Sequence, residues 1–212
     1  MYMKTREEMI LEWVKGPDVL DVGCTDHVVR EKSVYWLHQS LNQRFPHVVG
    51  IDIAEENLEQ MRALGYENLH KMDAEQFSLN EKYDTIIAGE LIEHLSNPGL
   101  FLDRVLLHLK PDGRLIITTP YVFSLLYIVY SNLKYPKTCE NAEHTHWLCI
   151  ETMRNLAARH GFKERFFDLV MDYRLDNPSW KYVAFARMII SFRHVIQKRL
   201  RNNVMFFVLE RA

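Results

Sequence analysis

Glycine is scarce where a phosphate-binding loop would need it. The 212 residues hold eight glycines, and neither G-x-G-x-x-G nor G-x-x-x-x-G-K-[ST] occurs. The second absence excludes a P-loop. The first weakens a dinucleotide site, because a pyrophosphate needs close main-chain approach at several points. Charge of one sign is also missing: the net charge is −2, so nothing global points to nucleic acid or an anionic membrane as partner. The three cysteines, Cys24, Cys139 and Cys149, lie far apart, and an odd count suits a reducing compartment better than a disulfide framework. No apolar run reaches the roughly 18 residues of a membrane span. The nearest is YVFSLLYIVY at 121–130. The first residues, MYMKTREEMILEWVKG, are charged throughout. They show no apolar h-region or small-residue cleavage site, so the expectation is a soluble cytoplasmic chain.

What is present is apolar content of 48%, enough for one good core and marginal for two. The expectation is one domain over residues 1–212. Strand-like and helix-like segments alternate along it. Strands are expected at 18–22 (DVLDV), 47–53 (HVVGIDI), 67–72 (ENLHKM), 83–89 (YDTIIAG), 114–120 (RLIITTP), 162–171 (FKERFFDLVM) and 203–210 (NVMFFVLE). Helical spacing fills 28–45, 54–65, 97–113 and 151–161. Such alternation means an α/β fold, a parallel sheet with helices on both faces. Ligands bind these sheets at the carboxyl ends of the strands.

Four strand ends carry a polar pattern: Asp21-Val22-Gly23-Cys24-Thr25, then Asp52, then Asp73-Ala74, then Gly89-Glu90. A carboxylate at the position of Asp52 accepts ribose hydroxyls or caps the helix beginning at Ala54. Asp73 accepts from an adenine amino group or caps a helix. Three carboxylates at successive strand ends of one sheet are harder to explain as caps than one. Gly23 admits close backbone approach, while Thr25 places a Cβ where a pyrophosphate would lie, so a ligand without phosphates fits better.

These motifs, in this order, resemble the class I S-adenosylmethionine-dependent methyltransferases. VLDVGCTDH resembles that family's first motif, D-x-G-x-G-x-G after an apolar run, with Thr25 and His27 where glycines are common. GIDI resembles the second motif and MDAEQF the third. YDTIIAGELIEHL, with its following helix and RLIITTP, resembles the fourth strand through the fifth, and EHTHWLCIETMRNLAARHGF the stretch before the last helix. The resemblance implies a Rossmann-like, doubly wound, seven-stranded sheet. It would be mostly parallel with an antiparallel last strand, in three α/β/α layers. It implies S-adenosyl-L-methionine as cofactor and S-adenosyl-L-homocysteine as product. Asp21, Gly23, Cys24 and Thr25 would line the methionine end, Asp52 the ribose, and Ile53 the adenine ring. Asp73 and Ala74 would meet the adenine edge, and Glu90 would sit near the sulfonium. The hydroxyl of Thr25 would reach the cofactor's carboxylate, and the loop reads as a working variant.

Methyl transfer is an in-line displacement in which the cofactor supplies reactivity and the protein aligns the partners. A hydroxyl nucleophile benefits from a base that titrates near neutrality. The candidates are His94 in ELIEHL and His144 and His146 in EHTHW, with His144 preferred; Glu93 reads as a supporting carboxylate. The histidines show no H-x-x-x-H or C-x-x-C spacing, so no metal is expected. Acceptor choice would lie in 120–149 and 172–202. The second holds a basic amphipathic stretch over 181–201, which either packs on its own domain or meets a membrane surface or partner. The expected reaction is methylation of an oxygen on a small molecule, sugar or glycan precursor, with no nucleic acid. Two other readings stay open: a module of this fold that binds without turnover, and a nicotinamide-dependent oxidoreductase.

Overall fold

The computed structural model describes residues 4–25, 36–133, 141, 143–173 and 180–212. His27, Cys139 and the first part of the helix expected at 28–45 lie outside these residues.

Seven strands form one sheet: β1 (Val19–Val22), β2 (Val49–Asp52), β3 (Leu69–Lys71), β4 (Tyr83–Gly89), β5 (Leu109–Pro120), β6 (Phe162–Val170) and β7 (Val204–Arg211). Their order is β3-β2-β1-β4-β5-β7-β6. The first five pair in parallel, and β7 runs antiparallel to both β5 and β6. This is the Rossmann-like sheet expected, with its antiparallel last strand. The order turns back between β1 and β4, which opens a crevice at their carboxyl ends.

Helices α1 (Arg6–Trp13), α2 (Leu37–Arg44), α3 (Glu55–Ala63), α4 (Pro98–His108), α5 (Leu125–Leu133), α6 (Ile150–Arg159), α7 (Trp180–Ser191) and α8 (Lys198–Arg201) flank the sheet. Local chemistry explains several boundaries. Asn97 Oδ1 accepts from the amides of Gly99 and Leu100 at 3.1 and 3.2 Å, and Pro98 follows it, so α4 starts there. Gly161 ends α6 at φ +78°, a conformation side chains resist. Thr5 and Glu8 form a reciprocal capping box at α1, a helix the periodicity of the N-terminus did not suggest.

Two expected helices are shorter in the structure. The one expected over 97–113 stops at His108, because Pro111 disfavours helix at the residue before it and Leu109 is fully buried. The chain then enters β5 with a register shift between the Tyr83↔Leu109 and Thr85↔Arg114 pairs. The long pattern across 181–201 divides into α7 and α8. Between them the Arg201 guanidinium donates to the carbonyl oxygens of Arg193 and Ile196, which the broken helix leaves open. Tyr182, Ala186 and Ile189 of α7 are buried against Leu126 of α5, whereas Phe192 is exposed. No helix among the described residues is long and apolar enough to cross a membrane.

Alternation along the strands sorts the core into two faces. Leu20, Val22, Ile86, Ala88, Leu115 and Ile117 pack with Phe101, Leu102 and Val105 of α4. Val19, Ile87, Ile116 and Val208 pack on the other side with Ile10 of α1 and Leu41 of α2. Period-2 geometry then dictates where the polar strand ends point. Asp21 goes toward α2 and Thr118 toward α1. Thr119 turns to the α4 side.

Candidate functional site

A cavity of about 830 Å³ lies at the carboxyl ends of β1, β2 and β4, a size suited to a small-molecule ligand. Asp21, Gly23, Cys24, Thr25, Asp52, Ile53, Glu90, His94 and His144 all line it. Nine residues singled out from separate parts of the sequence therefore meet at one place. Asp73 and Ala74 are not on its wall. Asp73 accepts from the Glu75 amide at 2.8 Å and the Gln76 side chain at 3.4 Å, and so holds the turn after β3. His146 faces a separate cavity of about 580 Å³ with Asn97, Asp103 and His160.

At one end the loop after β1 is built tightly. Gly23 adopts φ +75°, and a Cβ there would come within 3.0 Å of Leu91 Cδ1. Its amide and that of Cys24 both donate to Ile51 O, at 2.9 and 3.2 Å. Thr25 turns back on Asp52: its amide and Oγ1 donate to Asp52 Oδ2 at 3.0 and 2.9 Å, while Ala54 N donates to Oδ1 at 2.9 Å. The hydroxyl expected to meet a ligand carboxylate instead fixes the carboxylate expected to hold the ribose. Ile53 is 67% exposed although it is large and apolar, and it borders the cavity. An apolar face left open beside a carboxylate suits a ring whose sugar that carboxylate holds. Cys24 is buried, and burial, with the nearby charges of Asp21 and Asp52, pushes its thiol far above the ordinary range. It is a packing group here and not a nucleophile.

Two groups on this wall were not singled out by the sequence reading. His38 Nδ1 lies 2.9 Å from Asp21 Oδ2 with both residues buried, and His38 Nε2 has no hydrogen-bond partner among the described residues. Arg6 reaches in from α1, donating to Asp172 Oδ2 and Thr118 Oγ1, each at 3.1 Å. Burial alone would lower its pKa, but Glu90, Asp172 and Glu7 together hold it above its ordinary value. Neither was detectable from spacing, since Arg6 and Asp172 are 166 residues apart.

The chain turns sharply at Glu90, which has φ +55° directly after β4. A 3-10 turn, Ile92–His94, follows. It buries Glu93, whose Oε2 accepts from Thr119 Oγ1 at 2.9 Å. Burial first, and then the charge of Glu90, raise the Glu93 carboxyl well above the usual carboxylate range. The Glu93 carbonyl accepts from the amides of Thr145 and His146 at 2.8 and 3.2 Å, and Thr145 Oγ1 lies 2.7 Å from Leu95 O. These bonds pin the segment carrying His144 onto the turn carrying His94. The two imidazoles meet edge to face, with centroids 4.7 Å apart at 88°. Burial, then His94, lower the His144 pKa, so its neutral form is favoured.

Comparison with known proteins places these features. A family model described as a methyltransferase domain matches residues 3–164. A curated relative named ubiquinone biosynthesis O-methyltransferase, from Rickettsia canadensis, is 29% identical over 135 residues, covering 58% of this chain and 54% of that protein. A protein of the same name from Rickettsia conorii is 32% identical over 107 residues, covering 48% of this chain and 34% of the relative. The chain thus spans about half or less of the curated relatives it matches. The fold matches a SAM-dependent methyltransferase from Archaeoglobus fulgidus with TM-score 0.68 and 16% identity, covering 97% of this chain and 91% of that one. It also matches a magnesium protoporphyrin IX methyltransferase from Synechocystis PCC 6803, solved with bound SAH, with TM-score 0.62 and 18% identity, covering 97% and 82%.

Proposed function

The chain belongs to the class I S-adenosylmethionine-dependent methyltransferases, and from that premise we propose that it transfers the cofactor's methyl group to a hydroxyl oxygen of a small-molecule acceptor. The observation that carries the proposal is the single cavity whose two ends differ in chemistry. One end, from Gly23 to Ile53, offers backbone, a fixed carboxylate and an apolar face. The other, from Glu93 to His144, offers imidazoles. The oxygen assignment is supported by relatives named O-methyltransferases and by the His144 imidazole beside the acceptor side, which burial and then His94 push toward its neutral form.

In this reading Asp52 accepts the ribose hydroxyls, Ile53 covers the adenine, and Asp21, Gly23, Cys24 and Thr25 surround the methionine portion. Asp73 and Ala74 keep an adenine role only if the turn they form closes on the bound cofactor. Glu90 lies between the two ends, near the sulfonium. The acceptor enters between α5 and α7, whose Tyr127 and Tyr182 line the cavity, so the segments 120–149 and 172–202 select it. These walls suit a small aromatic or sugar-like alcohol. His144, with His94 against it, takes the hydroxyl proton as the methyl passes in line from sulfur to oxygen.

Calorimetric titration with S-adenosylhomocysteine tests the cofactor half. Wild type should bind one equivalent, and Asp52→Ala should bind at least tenfold more weakly; equal affinity would remove Asp52 from the site. A screen of phenolic and sugar hydroxyl acceptors then tests the chemistry. His144→Ala should lower turnover roughly a hundredfold, the scale of one general base, while cofactor affinity stays within twofold.

A further inference from the structure

Glu93, His94 and His144 are brought together by a turn and a distant loop, and one ligand atom from each lies within 4.8 Å of the others. The geometry points to a divalent-cation site of the zinc class formed by these three side chains. Two imidazole nitrogens and one carboxylate oxygen are a donor set that borderline first-row cations favour, and three protein ligands leave a coordination position open.

Three observations carry this. The first is the orphaned oxygen: Glu93 Oε2 is satisfied by Thr119, but Oε1 is buried without a hydrogen-bond partner among the described residues. A buried carboxylate oxygen left bare is costly unless a proton or a cation meets it. The second is rigidity. The bonds from Thr145 and His146 to the Glu93 carbonyl hold His144 beside His94 through the backbone and not through a chance side-chain contact. The third is placement, because His94, Glu93 and His144 all line the large cavity. Ligand atoms on one cation stand ~3.4 Å apart at ordinary bond lengths, so from separations within 4.8 Å the three side chains need close by no more than ~1.4 Å.

The role of such an ion rests on the proposed methyl transfer to a hydroxyl. Bound at the open position, the acceptor oxygen would lose its proton more readily, and that proton would leave to water. The methyl would pass from sulfur to oxygen and S-adenosylhomocysteine would depart. His144 would then hold the ion instead of taking the proton.

The test is titration of chelator-treated protein, free of any affinity tag, with Zn2+ and separately with Co2+, each competed against a chromophoric chelator. We expect one Zn2+ per chain. Co2+ should develop visible d–d absorption of a low-symmetry nitrogen and oxygen site. Glu93→Gln, His94→Ala and His144→Ala should each weaken Zn2+ at least tenfold, and His146→Ala, in the separate cavity, should leave it within twofold. Zn2+ affinity unchanged in all three variants, or lost equally in His146→Ala, would overturn the site. Circular dichroism of each variant guards against simple unfolding, and Glu93→Gln keeps the shape where alanine would leave a void. S-adenosylhomocysteine binding is measured on the same samples. Zn2+ binding without it would support the cation site while overturning the methyltransferase reading. S-adenosylhomocysteine binding without Zn2+ would do the reverse.

Discussion

At the scale of single residues, the site stores its strain in a side chain that is not glycine. Glu90 holds φ +55° at the end of β4, although Gly89 immediately precedes it. A left-handed conformation costs an L-residue roughly 1–2 kcal/mol, and such strain persists where a side chain is needed at that point. Replacing Glu90 by glycine relieves the backbone and removes the carboxylate from between the two ends of the cavity. The expected outcome is a Tm equal to wild type or a few degrees higher, together with weaker S-adenosylhomocysteine binding and lower turnover. Scanning calorimetry and titration on Glu90→Gly check both halves, and a fall in Tm would show that the carboxylate serves stability instead. The residues themselves were legible before the fold. Acidic residues after successive strands, and histidines in ELIEH and EHTHW, stand out by type and position. What was not legible was their partners. The Thr25 hydroxyl was free to face a ligand in sequence and is spent on Asp52 in space. His38 became informative only once alternation turned Asp21 toward α2.

At the scale of elements, the central strands were readable because most of each is a buried apolar run. β1, for example, is buried at all four positions. Helix ends were less readable where the stop depends on packing and not on a glycine, as at His108 and Ser191. Helix α1 was missed for the same reason. Its sequence is charged on most faces, and only Arg6 and Ile10 are buried. Yet α1 closes the site, because Arg6 joins it to Asp172 and Thr118 beyond the crevice. With 9% and 26% of their side chains exposed, Arg6 and Asp172 form a largely desolvated pair. Removing one partner of such a pair leaves a charge uncompensated and costs about 3 kcal/mol. Arg6→Ala should therefore lose about that much in urea unfolding, and Asp172→Asn added to it should cost much less than it does alone. Additive losses would mean that the two groups do not act as a pair.

At the scale of the whole molecule, strand order decides where chemistry happens. The sheet reverses direction of winding between β1 and β4, so the loops after β1, β2 and β4 diverge and leave a crevice. Parallel pairing was legible from the alternation of strands and helices, but the insertion of β7 between β5 and β6 was not, since no local pattern encodes which edge a last strand chooses. That insertion has a consequence for stability. It places Asn203 and Val204, at the start of β7, on the cavity wall beside Asp172, while the loops of β1 and β2 form the opposite wall. A ligand seated there bridges segments from both halves of the sheet and binds the folded chain alone. S-adenosylhomocysteine at a hundred times its Kd should then add about 2.7 kcal/mol. For a chain of this size that raises Tm by roughly 5–11 °C. Asp52→Ala, which loses the ligand's anchor together with the three hydrogen bonds that hold Thr25 and Ala54, should unfold below the wild-type temperature and show about half the shift or less at the same ligand concentration. A full shift in Asp52→Ala would place the ligand elsewhere, and the crevice at the reversal of the sheet would lose its claim to be the site.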